Sequence, residues 1–237
     1  MKKLIRPAAL LLILTLLAGA LSGCRLGEQK RLRERAKAHL TRLDNHKDVS
    51  DTFMLSEEKV KYSDRSASVP FQASSKTYGE SFTVWVSRLD DTVTDDYYGL
   101  YLRDEAEKKT GAVLKEALGE GTPETRASFM KIGSPVLSLH AAGSLEELLK
   151  ISRETLKMNN VMEIRLKLAG GANPDEAAVD KALIALREKG YYCRFYPYVS
   201  EAVWFEILPD GFWKNVQSGA DNGAYLNRTE YTPAAGN

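Results

Sequence analysis

The sequence predicts an α+β fold: an N-terminal helix, then two small α+β units in the orders α-β-β-β-α and β-α-β-α-β-β. Three observations carry this. Apolar residues alternate with a period of two over Ser81–Ser87, and recur at helical spacing from Val179 to Leu186. Helices alternate with strands in the second half, the pattern of right-handed βαβ units packed on a small mixed sheet. Between the halves lies Gly119-Glu120-Gly121-Thr122-Pro123, a run that breaks both patterns.

Each element has its own signal. Glu28 to Leu43 reads as a helix with a narrow stripe of Leu32, Ala36, Leu40 and Leu43. Strands are expected over Phe53–Tyr62, Ser68–Lys76 and Ser81–Ser87, the last two divided by a Tyr78-Gly79-Glu80 turn. A long helix is expected from Thr94, its N-cap, to Leu118, with Asp95 and Asp96 in the first turn where the helix dipole favours negative charge. Pro135–Leu139 reads as a strand. Ser144-Leu145-Glu146-Glu147 has capping-box spacing and opens a helix with Leu145, Leu148, Leu149 and Leu156 inward. Val161–Leu168 is a strand, and Gly170-Gly171 turns the chain. Asn173 caps a second helix, with Pro174 at its first position and Val179, Ala182, Leu183 and Leu186 inward, until Gly190 ends it. Tyr191–Tyr198 and Ala202–Leu208 close the unit as a hairpin, and the polar stretch beyond Asn215 reads as a flexible tail.

The first residues carry a different kind of signal. Lys2, Lys3 and Arg6 precede an apolar run from Ala8 to Leu21, and Ser22-Gly23-Cys24 follows it. This is the layout of a secretory signal. Fourteen helical residues reach about 21 Å, short of a hydrocarbon core of about 30 Å. Extending the run back to Leu4 includes Arg6 and Pro7, and the basic sequence after Arg25 also suits an uncleaved anchor. Leu21-Ser22-Gly23-Cys24 resembles the lipobox of bacterial lipoproteins. That resemblance implies cleavage before Cys24, lipidation of the Cys24 thiol, and attachment to the extracytoplasmic face of a cell membrane. It covers only these first residues. The layout it implies is a removed signal at 1–23 and a lipidated basic stem helix at 24–48. A first unit at 49–118, a linker at 119–124, a second unit at 125–214 and the tail at 215–237 follow.

The full chain has a formal charge of +1. Residues 25–47 hold eight Lys or Arg against three acids, a net +5. Without the three basic residues of the signal, the rest of the chain carries −7. A basic stem beside the lipid would be drawn to anionic headgroups while an acidic body is repelled. The plainer reading is an ordinary solvated helix rich in Arg and Lys. Nucleic acid fits poorly as a partner of an exported chain. With Cys24 lipidated, Cys193 has no intramolecular disulfide partner and reads as a small buried hydrophobe.

No motif names a reaction. Ser128-Phe129-Met130-Lys131 and Lys109-Thr110-Gly111 match two elements of penicillin-binding proteins and β-lactamases, but in the reverse order, and S-D-N is missing. Asp90-Asp91 and Asp95-Asp96 lack the spacing of a calcium loop. His39 and His46 are two helical turns apart, and His140 has no evident partner. No cofactor, metal set or catalytic residue is read.

The final hairpin offers the best candidate surface. Tyr192, Arg194, Tyr196 and Tyr198 would share one face with Trp204 and Glu206, while Tyr191, Cys193, Phe195, Val203, Phe205 and Ile207 take the other. Tyr and Trp give large contact area at low entropy cost, which suits protein, peptide or glycan partners. The plainer reading is that helices or the first unit cover this face too. The expected function is that of a non-enzymatic binding module of the cell envelope. A hydrolase without a recognisable motif and a transport-accessory solute-binding lipoprotein are the rivals.

Overall fold

A computed structural model describes residues 27–44, 51–58, 60–63, 65–119, 124–131, 143–167, 173–218 and 225–234. Cys24, the expected Pro135–Leu139 strand, His46, His140 and Gly170-Gly171 lie outside them. The fold is α+β, as the sequence predicts. The chain divides into two compact units, residues 1–94 and 95–237. The division falls at Thr94/Asp95 rather than at the Gly119 break, because the long helix preceding that break packs with the strands that follow it.

In the first unit, helix α1 (27–44) is followed by strands β1 (Phe53–Leu55), β2 (Ser68–Ser75), β3 (Ser81–Ser87) and β4 (Val93–Asp95). They form one sheet in the order β1-β2-β3-β4, with β1–β2 and β2–β3 antiparallel. The expected stripe of α1 is buried: Leu32, Ala36 and Leu43 are fully enclosed, Leu40 nearly so. Val69, Phe71, Ala73, Phe82, Val84 and Val86 supply the buried side of β2 and β3. At 100° per residue, Arg33 and Arg35 flank the apolar stripe of α1 on its two sides. Arg33 donates to the Ser56 and Glu58 carbonyls at 2.7 and 2.8 Å, just past β1. Arg35 donates to the Ser87 and Asp90 carbonyls at 2.9 and 2.8 Å, between β3 and β4. The helix is thus held at both edges of the sheet. Arg88 grips Glu28 at 2.9 Å and holds its carboxyl below the usual carboxylate range.

Two expectations fail here for local reasons. The strand expected over Phe53–Tyr62 is a strand only over Phe53–Leu55: after the Ser56 amide donates to the Gln72 carbonyl at 2.8 Å the chain leaves the ladder, while β2 runs on to Ser68 paired with β3 alone. The helix expected from Thr94 begins later. Val93 and Thr94 are β-branched and pair in the sheet, and the Asp95 carboxylate instead accepts from the Tyr97 amide at 2.9 Å. The helix is also broken at Leu102 into α2 (Tyr98–Tyr101) and α3 (Arg103–Leu118).

The second unit continues with β5 (Glu124–Phe129), α4 (Leu145–Glu154), β6 (Met162–Lys167), α5 (Glu176–Glu188), β7 (Arg194–Tyr196), β8 (Val203–Ile207), β9 (Phe212–Ser218) and β10 (Tyr225–Tyr231). The sheet order is β10-β9-β8-β7-β6-β5. Among these described strands only β6 and β7 run parallel, joined by α5, so the sheet is mixed. Val113 and Leu114 of α3, Leu145 of α4, and Val179, Leu183 and Leu186 of α5 share one core with Ile164, Phe195, Phe205 and Ile207. Cys193 is fully buried in that core, and burial pushes its thiol well up. The expected flexible tail is corrected: its residues form most of β9 and all of β10. Phe212, nearly buried, and the Tyr231 ring over Phe205 at 5.0 Å join these outer strands to the core.

Helix α4 has the capping geometry its sequence predicts at Ser144, which accepts from the Glu147 amide at 3.3 Å. The Glu147 carboxylate reaches one residue further back, to the Gly143 amide at 3.0 Å. For α5 the cap is Asp175 rather than Asn173: Asp175 accepts from the Ala178 amide at 2.7 Å, and Asn173 accepts from the Val199 amide at 3.0 Å. Replacing Asp175 by Ala should therefore lower stability by about 1 kcal/mol in urea melts, with Asn173→Ala leaving the helix cap intact. Among the described residues, no helix is long and apolar enough to cross a membrane.

Candidate functional site

The helices of the second unit pack on one face of its sheet. Strand alternation puts a second set of side chains on the other face. Arg194 and Tyr196 come from β7, Trp204 and Glu206 from β8, and Glu163 and Arg165 from β6. Trp213 and Asn215 come from β9, and Arg228 from β10. Register brings Arg194 opposite both Glu163 and Glu206, and Trp204 opposite Asn215.

Tyr196 and Trp204 stack with centroids 5.9 Å apart and planes 23° from parallel. The Arg165 guanidinium lies 4.7 Å over the Tyr196 ring, and that of Arg228 lies 4.5 Å over Trp213. Each contact is an attraction between a cation and a ring quadrupole. Carboxylates thread between these groups. Arg165 pairs with Glu201 at 3.0 Å and Glu163 at 3.2 Å, Arg194 with Glu163 at 3.5 Å, and Arg228 with Glu206 at 2.6 Å. Between β8 and β10 the acid sits low and the guanidinium stands proud: the Glu206 side chain is 14% exposed against 47% for Arg228. Burial, reinforced by Glu163, pushes the Tyr196 phenol above its ordinary value, so it stays a neutral hydrogen-bond donor at neutral pH.

The centre of the face is short of hydrogen bonds. Trp204 Nε1, Arg194 Nε and Asn215 Oδ1 are buried without a partner among the described residues.

Of the six residues expected on this surface, the structure brings four together: Arg194, Tyr196, Trp204 and Glu206. Tyr192 and Tyr198 are corrected to the helix side, packed against the core there. Tyr192 lies under the Arg153 guanidinium of α4 at 5.4 Å. The reason is that β7 is only three residues long, and alternation governs side-chain direction only inside the strand. Sequence reasoning misses Asn215 and Arg228, because the stretch from residue 215 on has the composition of a tail, and Trp213, which falls after the last expected strand at Leu208 where no element is assigned. Glu163 and Arg165 are within its reach, since they alternate with Met162, Ile164 and Leu166.

Tyr196 is itself buried at 9% exposure and backs the Trp204 ring, so what the face offers is the partly exposed Trp204 and Trp213 rings and guanidinium groups to pair with carboxylates. Among the described residues, no group of three or more His, Cys, Asp or Glu side chains is placed to hold a metal ion. Of the S-x-x-K expected to be coincidental, Ser128 lies near the end of β5, where its Oγ accepts from Arg165 at 3.0 Å, and Lys131 lies two residues past that strand. No family model matches this chain, and neither a curated protein nor a solved structure matches it.

Proposed function

We propose that this chain is an extracytoplasmic lipoprotein, anchored through Cys24, that binds another component of the cell envelope with the aromatic face of its second unit. The single observation that carries the binding role is the Tyr196–Trp204 stack, flanked by Arg165, Arg194, Arg228 and Trp213. Tyr, Trp and Arg are the residues that dominate interface energetics, and here they share one sheet face. Alternating guanidinium and carboxylate groups favour a protein or peptide partner with charges of both signs. The anchoring role rests on the lipobox resemblance.

The test is crosslinking in intact cells with identification of partners by mass spectrometry, comparing the parent with a Tyr196→Ala, Trp204→Ala double variant. Loss of two central anchors should weaken binding by about 2 kcal/mol or more, about 30-fold. Equal recovery of the same partners from a folded, membrane-attached double variant removes this face as the site.

A further inference from the structure

The basic run of α1 is divided into two sets. Arg33 and Arg35 turn toward the strands and are consumed by main-chain carbonyls. Lys30, Arg31, Lys37 and Arg42 are exposed, as are Glu34 and Ala38. At 100° per residue these positions fall in one continuous stripe on the side away from Leu32, Ala36 and Leu43. The acids nearest this stripe are already engaged. Glu34 pairs with Lys37 and Asp91 with Arg35, each at 3.6 Å, and Asp44 in the last turn is bonded by the Phe53 backbone. The outward face therefore carries four cations and one carboxylate, a net charge of +3, with Lys37 paired to Glu34 and Lys30, Arg31 and Arg42 unopposed on the stripe.

We infer that this outward face of α1 lies flat against an anionic phospholipid surface, with Lys30, Arg31, Lys37 and Arg42 over the headgroups. The inference rests on the reading that the chain is anchored near Cys24. Only Arg25 and Leu26 separate Cys24 from residue 27, the first described residue of α1. Three residue steps span at most about 10 Å, about one Debye length at physiological salt. An anchor at Cys24 therefore holds the first turn of α1 inside the field of the headgroups. Lys30 and Arg42 are then about 18 Å apart along the axis, so a helix lying in the membrane plane lets all four cations reach phosphate. A helix standing upright brings only the first turn there. Opposite charge and short reach both select a bilayer rather than a second protein as the occupant.

The experiment uses the full chain reconstituted into vesicles, either phosphatidylcholine alone or phosphatidylcholine with phosphatidylglycerol. An amine-reactive reagent labels exposed lysines, and mass spectrometry reads each position. On phosphatidylglycerol vesicles, labelling of Lys30 and Lys37 should fall about threefold or more and recover in high salt, while exposed Lys181 in the second unit does not change. The variant Lys30→Glu, Arg31→Glu, altered only at exposed positions, should lose the protection of Lys37. Equal labelling of Lys30 and Lys37 on both vesicles overturns the inference. The mass of the N-terminal peptide from the same sample reports lipid on Cys24 separately. Protected lysines with an unmodified Cys24 would uphold the α1 face and refute the lipoprotein reading. Unprotected lysines with a lipidated Cys24 would do the reverse.

Discussion

Phe205→Ala should destabilise the second unit by about 3–5 kcal/mol, a large share of the stability of any domain of this size. Phe205 is 1% exposed at the middle of β8, registered against Phe195 of β7 and Lys214 of β9. Its ring meets Tyr231 edge-on at 5.0 Å, and the Lys214 ammonium lies 6.0 Å from its centroid. Truncation therefore opens a cavity and also loosens the contact that draws β10 onto the core. The measurement is a urea melt followed by tryptophan fluorescence, since Trp204 and Trp213 both lie on neighbouring positions of the sheet. Leu89→Ala, at a residue 83% exposed, serves as the control and should move stability by no more than about 0.5 kcal/mol. A Phe205→Ala melt within about 1 kcal/mol of the parent would show that the core is not packed around this ring.

Alkaline pH should destabilise the second unit through Cys193. Its thiol is fully enclosed, and desolvation raises it far above the ordinary thiol value. The folded chain therefore keeps the proton where the unfolded chain, titrating near about 8.5, gives it up. The stability this contributes is whole below about pH 8.5 and is lost as pH rises toward and through the folded value. In that window the loss is about 1.4 kcal/mol for each pH unit. Tyr231 follows the same sign at higher pH. Burial and the hydrogen bond to Asp180 at 2.6 Å raise its phenol, so its contribution begins to fall above about pH 10. Urea midpoints measured from neutral pH upward should fall for the parent and fall less steeply for Cys193→Val between about pH 8.5 and 10. Identical slopes would exclude the thiol as the cause.

Much of the second unit is legible in the sequence because its helices are strongly periodic. Val179, Ala182, Leu183 and Leu186 are all buried as their spacing requires, and Ser81–Ser87 in the first unit is a strand over the range its alternation predicts. The signals that fail are those decided by partners distant in sequence. Phe212 and Tyr231 are widely spaced apolar residues in the two polar strands at one end of the sheet, and only pairing along β8 makes that stretch a sheet. Thr94 has the chemistry of a cap, but pairing at the sheet edge takes precedence over it. The candidate face is half legible for the same reason. Arg194, Tyr196, Trp204 and Glu206 lie within strands whose alternation can be read directly. Trp213 and Arg228 enter only through β9 and β10, and Tyr192 and Tyr198 lie beyond the reach of alternation in a three-residue strand.

The two arginines that fasten α1 also determine how the first unit bears tension. A pull on the amino end of the chain enters through α1. Its enclosed leucines pass that load to the middle of the sheet. Arg33 passes part of it to the chain just beyond β1, and Arg35 part to the turn between β3 and β4. No single strand takes the whole force, and peeling α1 away requires four short hydrogen bonds at opposite margins to yield together. The helix behaves as a tether plate, spreading a point load across the full width of the domain it holds.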